Sequence, residues 1–343
     1  MEMFEFECKG VRLVRAPILA AILLAAMSIE TQAQSSDRSS SAANPYLPSA
    51  DNLMRHVYAL ADDSMMGRAV HTEGYDMAAR YVAEEFRRVG VGPRAGQGGS
   101  DLTHYFHTFE YEFPPESWYE GNVVSYNVIG VVPGNNPALA SEQLVVSAHL
   151  DHVPQRGGQI FNGASDNASG VAVMLEVARL IARRPVGRTV VFAAFGAEEV
   201  GHVGSLMLVD SLVEHAVPVI ANINIDDVGH LGRGPAGRPL MAALHEGRVC
   251  VDLFDMIRVH GDGAGVAITE RYRDDVFTRS DHYSFYLADI PAIFFSSGGE
   301  HQWLHTPQDD ADEMDWAQLQ RLTSVVYQSV RSISEHIDMC GSQ

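Results

Sequence analysis

Cysteine is scarce in this sequence, with Cys8, Cys250 and Cys340 as the whole complement of 343 residues. None stands in the C-x-x-C spacing of a zinc knuckle or a redox pair, and a dense disulfide scaffold is excluded. Positive charge is short as well: 24 Lys and Arg face 44 Asp and Glu, for a formal net charge of −20. A nucleic-acid binder, or a protein docking on anionic lipid, needs the opposite balance. The N-terminal apolar run at residues 16–27 is well short of the roughly 20 residues a helix needs to span a bilayer. Internal repeats are absent, which rules out a solenoid or propeller array.

That short run has the surroundings of an export leader. Lys9, Arg12 and Arg15 precede it, and Thr31-Gln32-Ala33 offers small residues for cleavage near Ala33. Three glutamates at residues 2–7 are unusual for a leader and suit a translation start at Met3 or later. Residues 1–33 are therefore expected to be a signal peptide, with the mature chain periplasmic or secreted and without stable membrane insertion. Residues 34–48 read as a polar, flexible linker, 49–338 as a single catalytic domain, and 339–343 as a tail. With Cys8 lost, Cys250 and Cys340 remain as structural residues.

Beyond the linker, helical and strand-like patterns alternate. Residues 50–65 and 73–89 have helical spacing, the second with Met77, Tyr81, Val82 and Phe86 on one face. Residues 90–99 are glycine-rich and read as a loop, and 104–113 alternate like a strand. Apolar strands follow at 123–132, 144–150, 189–195, 219–225 and 292–295. Helices are expected at 168–184 and 315–336. The alternation predicts an α/β fold.

Polar residues gather where these apolar strands end, the place where ligand sites form in open α/β sheets. Ala148-His149-Leu150-Asp151-His152 closes one strand, and residues two apart share a face, so Asp151 could hold the ring of a metal-binding His149. A lone histidine there would more often be a solvated strand end. Asp166, in the glycine-flanked run 163–170, is either a helix cap or a carboxylate able to bridge two cations. Glu198 and Glu199 follow an almost wholly apolar strand, where adjacent carboxylates are costly without a nearby cation. One could bind metal while the other acts as general base. Asn224 and Asp226 share the face opposite Ile223 and Ile225, which prefers Asp226 to Asp227 as a ligand. His305 is the preferred ligand in the run 301–309, with Asp309 beside it. Two histidines and three carboxylates suit two zinc ions sharing one bridging carboxylate.

The runs A-H-L-D-H, G-A-S-D-N-A-S-G, F-G-A-E-E-x-G-x-x-G-S, N-I-D-D-V-G and L-H-T-P-Q-D, in this order, resemble the zinc exopeptidases that include bacterial leucyl aminopeptidase. The resemblance covers roughly residues 50–338. It implies a three-layer αβα sandwich around a central mixed, mostly parallel sheet. It further implies two Zn2+ per chain, one held by Asp166, Glu199 and His305 and the other by His149, Asp166 and Asp226. Glu198 would be the base and proton shuttle, with Asp151 supporting His149. Ser280-Asp281-His282 matches a further motif of the family and is assigned no metal role. Departures are Asp227 for a common methionine, His202 for a common leucine and Asp310 for a common threonine.

The expected substrate is a peptide or small amide, and the expected reaction is removal of N-terminal residues. A carboxypeptidase, a dipeptidase or a glutaminyl-cyclase-like enzyme would use nearly the same residues. A non-catalytic binding module would show eroded ligands, which this sequence does not. Trp118-Tyr119 and residues 283–286 are candidates for the specificity pocket, and nothing in the pattern addresses oligomeric state.

Overall fold

The parallel centre of the sheet explains the most apolar stretches of the sequence. Its strands are β4 (Gln143–His149), β5 (Thr189–Phe195), β6 (Val219–Ile225) and β10 (Ala292–Ser296), in the spatial order β5-β4-β6-β10. Such strands read as near-continuous apolar runs because helices cover both faces. The alternation is visible in the packing. Leu144, Val146 and Ala148 join one core, whereas Val145 joins the other.

The computed structural model describes residues 44–94, 101–113, 121–230, 232–233, 239–244, 251–270, 278–297 and 301–336. The leader, most of the linker, the end of the 90–99 loop, Trp118-Tyr119, Cys8, Cys250, Cys340 and the 339–343 tail lie outside them. The described residues belong to one compact unit. Among them, no helix is long and apolar enough to cross a membrane.

Antiparallel strands flank the parallel centre. On one side β3 (Asn122–Val132) pairs β5, with β1 (Gly92–Pro93) and β2 (Phe106–Glu112) against β3. On the other, β8 (Pro239–Leu244) pairs β10, and β7 (Gly232–Arg233) and β9 (Ala267–Glu270) pair β8. The larger core packs α1 (Ala50–Leu60), α2 (Glu73–Val89), α3 (Gly170–Arg183), α5 (Val251–Ala264) and α7 (Trp316–Glu335) on one face. On the opposite face lie α4 (Val203–Glu214) and α6 (His282–Leu287). This is the expected three-layer αβα sandwich around a mixed sheet.

Local chemistry sets the helix ends. Ser49 and Thr72 cap α1 and α2 by accepting backbone N–H groups, and Gly90 closes α2 in the left-handed conformation. The first helix stops at Leu60, before the expected 65. The Asp62 side chain accepts the N–H of Ser64 and starts a separate tight turn over Asp63–Arg68. That turn delivers Arg68 to the interior. Residues 102–105 likewise form a tight turn ahead of β2.

Phe192 anchors the centre of β5, fully buried and packed 6.3 Å from the Phe86 ring of α2. Replacing it with alanine should cost about 3–5 kcal/mol through lost burial and a cavity. The check is a lower urea midpoint with an unchanged slope.

Candidate metal centre

Because β5, β4 and β6 are parallel neighbours, their C-terminal ends open on the same edge of the sheet. His149 ends β4, Glu198 and Glu199 follow β5, and Asp226 follows β6. The turn before α3 supplies Asp166, and the segment ahead of α7 supplies half-exposed His305. Their polar atoms converge in two groups. In one, His149 Nε2 is 3.0 Å from Asp166 Oδ1 and 3.0 Å from Asp226 Oδ1. In the other, His305 Nε2 is 3.1 Å from Asp166 Oδ2 and 3.3 Å from Glu199 Oε1. His152 joins this second group, its Nδ1 3.0 Å from Glu199 Oε1 and 3.5 Å from Asp166 Oδ2.

These spacings fit zinc. With metal–ligand bonds of about 2.0–2.1 Å, neighbouring ligand atoms of a tetrahedral site lie about 3.3–3.4 Å apart. The atoms of each group all fall within 4.8 Å of one another. Asp166 faces one group with Oδ1 and the other with Oδ2, as a bridging carboxylate must. All five residues expected as ligands are thus brought together, in the expected two groups. Glu198 belongs to neither group. Its Oε1 lies 3.2 Å from His202 Nε2, and the side chain is buried.

The supporting contacts differ in part from the sequence reading. Asp151 was expected to hold the His149 ring with its carboxylate, yet its backbone carbonyl does so, 2.9 Å from Nδ1. The strand ends at His149, so the rule that residues two apart share a face no longer governs Asp151. Its carboxylate instead accepts the backbone N–H groups of Glu198 and Glu199, at 3.0 and 3.2 Å. Asp309 acts similarly, accepting from Ser165 N and Asp166 N at 2.8 and 3.1 Å. Asp227, the departure noted beside Asp226, is held by the Ser165 and Ser297 hydroxyls and lies 3.1 Å from His301 Nε2.

Two residues at the site were not singled out by sequence. His152 is quoted in the A-H-L-D-H run, where it follows Asp151 directly, and that position was its only signal. Arg68 had none. Fully buried, it donates to the carbonyls of Leu60, Leu150, Asn162 and Gly163, fixing the segments that carry His149 and Asp166. Desolvation lowers its pKa to about 10, against the pull of Asp166, Asp309, Asp151 and Glu199.

Proton affinities record how much negative charge is confined here. Burial pushes the Glu198 carboxyl well above the usual range, despite the opposing influence of His149. For Glu199, burial and Asp166 act upward, but hydrogen bonds from His152 and His305 bring it below its ordinary value. Burial would depress the His149 imidazole, yet Asp226, Glu198 and Asp166 hold it well above its ordinary value. His305 rises to about 10, chiefly through Asp166 and Glu199. Burial raises Asp151, Asp281 and Asp309 to about 6.

Comparison with known proteins bears on this geometry. A sequence model of peptidase family M28 matches residues 127–330. Aminopeptidase YwaD of Bacillus subtilis is 30% identical over 223 residues, covering 61% of this chain and 46% of that protein. An aminopeptidase of Pseudomonas aeruginosa is 38% identical over 106 residues, covering 31% and 18%. The chain therefore spans less than half the length of these two curated relatives. Among solved structures, the Legionella pneumophila LapA aminopeptidase superposes with a TM-score of 0.65 at 22% identity, covering 84% and 72% of the two chains. BSAP, a zinc aminopeptidase from Bacillus subtilis, gives 0.65 at 18% identity, covering 83% and 95%. At these identities the structural likeness establishes the fold.

The raised histidines make metal-free stability depend on pH. Their protonated forms stabilise the fold fully below the ordinary histidine pKa of about 6.5, and that stability is lost as pH rises through the raised values. The three aspartates raised to about 6 are mostly ionised by pH 7, and the raised Glu198 carboxyl acts in the same direction as the histidines. Calorimetry in chelator should show Tm falling between pH 7 and 9.5, and zinc should raise Tm most at the alkaline end. A metal-free Tm flat across that range would contradict the assignment.

Proposed function

The chain belongs to peptidase family M28, and from that membership we propose that it is a two-zinc aminopeptidase with Glu198 as general base. The observation that carries the reading is the pair of ligand groups joined through the two oxygens of Asp166. His149, Asp166 and Asp226 would hold one zinc, and Asp166, Glu199 and His305 the other. Bound zinc would supply Lewis acidity, making a water easier to deprotonate and the scissile carbonyl more electrophilic.

The chain's own residues account for the proton transfers. Glu198 precedes Glu199 in the turn after β5 and belongs to neither ligand group, which leaves its carboxylate for taking a proton from the attacking water. Burial raises its proton affinity, which suits a group that must hold that proton and return it to the leaving amine. Asp151 fixes the backbone of both glutamates and so orients the base. The names of the relatives support the aminopeptidase direction. We read residues 1–33 as an export leader, which would place this activity on peptides outside the cytoplasm.

Amino-acid p-nitroanilides, tested beside their N-acetylated counterparts with metal analysis, check the reading. Hydrolysis of the free-amine substrates alone, with two zincs per chain, is expected. Equal cleavage of blocked substrates, or fewer than two zincs at saturation, would overturn it. Glu198→Gln should keep both zincs and lose about 10²–10⁴-fold in kcat.

A further inference from the structure

His152 is the member of the second ligand group that the proposed zinc set leaves over. Its ring is buried and packs edge-on toward His305, with centroids 5.5 Å apart and planes at 70°. Gly163 makes room for it, since a Cβ there would come within 2.6 Å of the ring's Cγ and Cδ2. Nδ1 points at Glu199 Oε1 from 3.0 Å, while Nε2 is buried with no hydrogen-bond partner among the described residues.

Two roles fit a ring nitrogen in that place: a further metal ligand, or an N–H donor to Glu199. The orphaned Nε2 separates them. A histidine that ligates through one nitrogen carries its proton on the other, which is ordinarily given to a carbonyl, carboxylate or water. His149 satisfies this rule, with the Asp151 carbonyl at its Nδ1. Ligation by His152 through Nδ1 would instead leave a buried N–H with no acceptor among the described residues, a costly arrangement. Donation from Nδ1 leaves Nε2 as a bare acceptor, and unpaired buried acceptors are tolerated better than unpaired donors.

We propose that His152 is a positioning residue whose Nδ1–H donates to Glu199 Oε1 and aims that carboxylate at Asp166 and His305. A carboxylate oxygen can accept this N–H and still offer a lone pair to a cation. The donation gives two adjacent glutamates different duties. Glu199 is held by His152 and His305, whereas Glu198 Oε1 lies 3.2 Å from His202 Nε2. The proposal rests on the reading of Glu199 as a zinc ligand.

The test compares wild type with His152→Ala and His152→Asn, since the asparagine amide nitrogen can stand near the position of Nδ1. Zinc retention against a chelator, X-ray absorption counting of imidazoles and kcat at saturating zinc are the readouts. His152→Ala should lose about 10–100-fold in zinc affinity at one of two sites, and His152→Asn should recover most of it. Wild type should show two imidazoles per two zincs, unchanged in both variants. A third imidazole that disappears in His152→Ala would make His152 a ligand and overturn the proposal. Unchanged zinc affinity in His152→Ala, or no recovery in His152→Asn, would also overturn it. The metal-free Tm of each variant, expected within a few degrees of wild type, separates these effects from misfolding. A wild type that binds a single zinc would fail the two-zinc reading instead, and the comparison at Glu199 could still be made.

Discussion

Carboxylates placed at the end of a buried parallel sheet repel one another and are expensive to desolvate. Asp151, Asp166, Glu198, Asp226 and Asp309 are all buried at this edge, with Glu199 nearly buried among them. Such a cluster survives folding only if positive charge or N–H groups are brought to it. The surrounding structure can be understood as the supply of that compensation. Histidines meet the carboxylates that face one another, backbone amides meet Asp151 and Asp309, and Arg68 lies beneath the loops as a buried cation.

The division between these kinds of compensation separates the carboxylates by task. Asp151 and Asp309 use their oxygens on backbone N–H groups and therefore tie loops together. Asp151 joins the end of β4 to the turn after β5, and Asp309 joins the segment before α7 to the turn before α3. Asp166, Asp226 and Glu199 direct theirs toward imidazole nitrogens in geometry that a zinc ion can replace. Arg68 serves the same end from the other side of the loops. Its guanidinium has no carboxylate partner within hydrogen-bond distance among the described residues. All four of its bonds go to carbonyls, two of them on Asn162 and Gly163 just ahead of Asp166.

Much of this was legible in the sequence because it follows from local pattern. The strands at Thr189–Phe195 and Val219–Ile225 fall where apolar runs place them, the second broken by Asn222 and Asn224, and the polar residues at their ends converge because parallel neighbours end together. What was not legible depends on contacts distant in sequence. Arg68 reaches residues more than eighty positions away, and nothing in the Met-Met-Gly-Arg stretch announces that. The Asp151 side chain departs from strand periodicity because β4 ends at His149, two residues before it. His152 shows that a quoted motif can contain a residue whose duty appears only when its ring is seen against Glu199. The helix α4 is weakly patterned, being apolar on most of its surface.

Backbone conformation shows how firmly the loops are determined. Ala197, Asp227 and His305 all have positive φ, at 61, 50 and 53°, one in each of three segments that carry ligand-type residues. Non-glycine residues in this region cost roughly 1–3 kcal/mol each and persist where surroundings over-determine them. The ties from Asp151, Asp309 and Arg68 supply that constraint. Asp227 adds its own, with Asn167 Oδ1 receiving its N–H and two serine hydroxyls fixing its carboxylate. The strain is thus held by protein contacts, and the ligand-type atoms already stand at separations that suit zinc. On this geometry a bound metal mainly neutralises charge the fold has gathered, which is why protonated histidines can stand in for it in the metal-free protein.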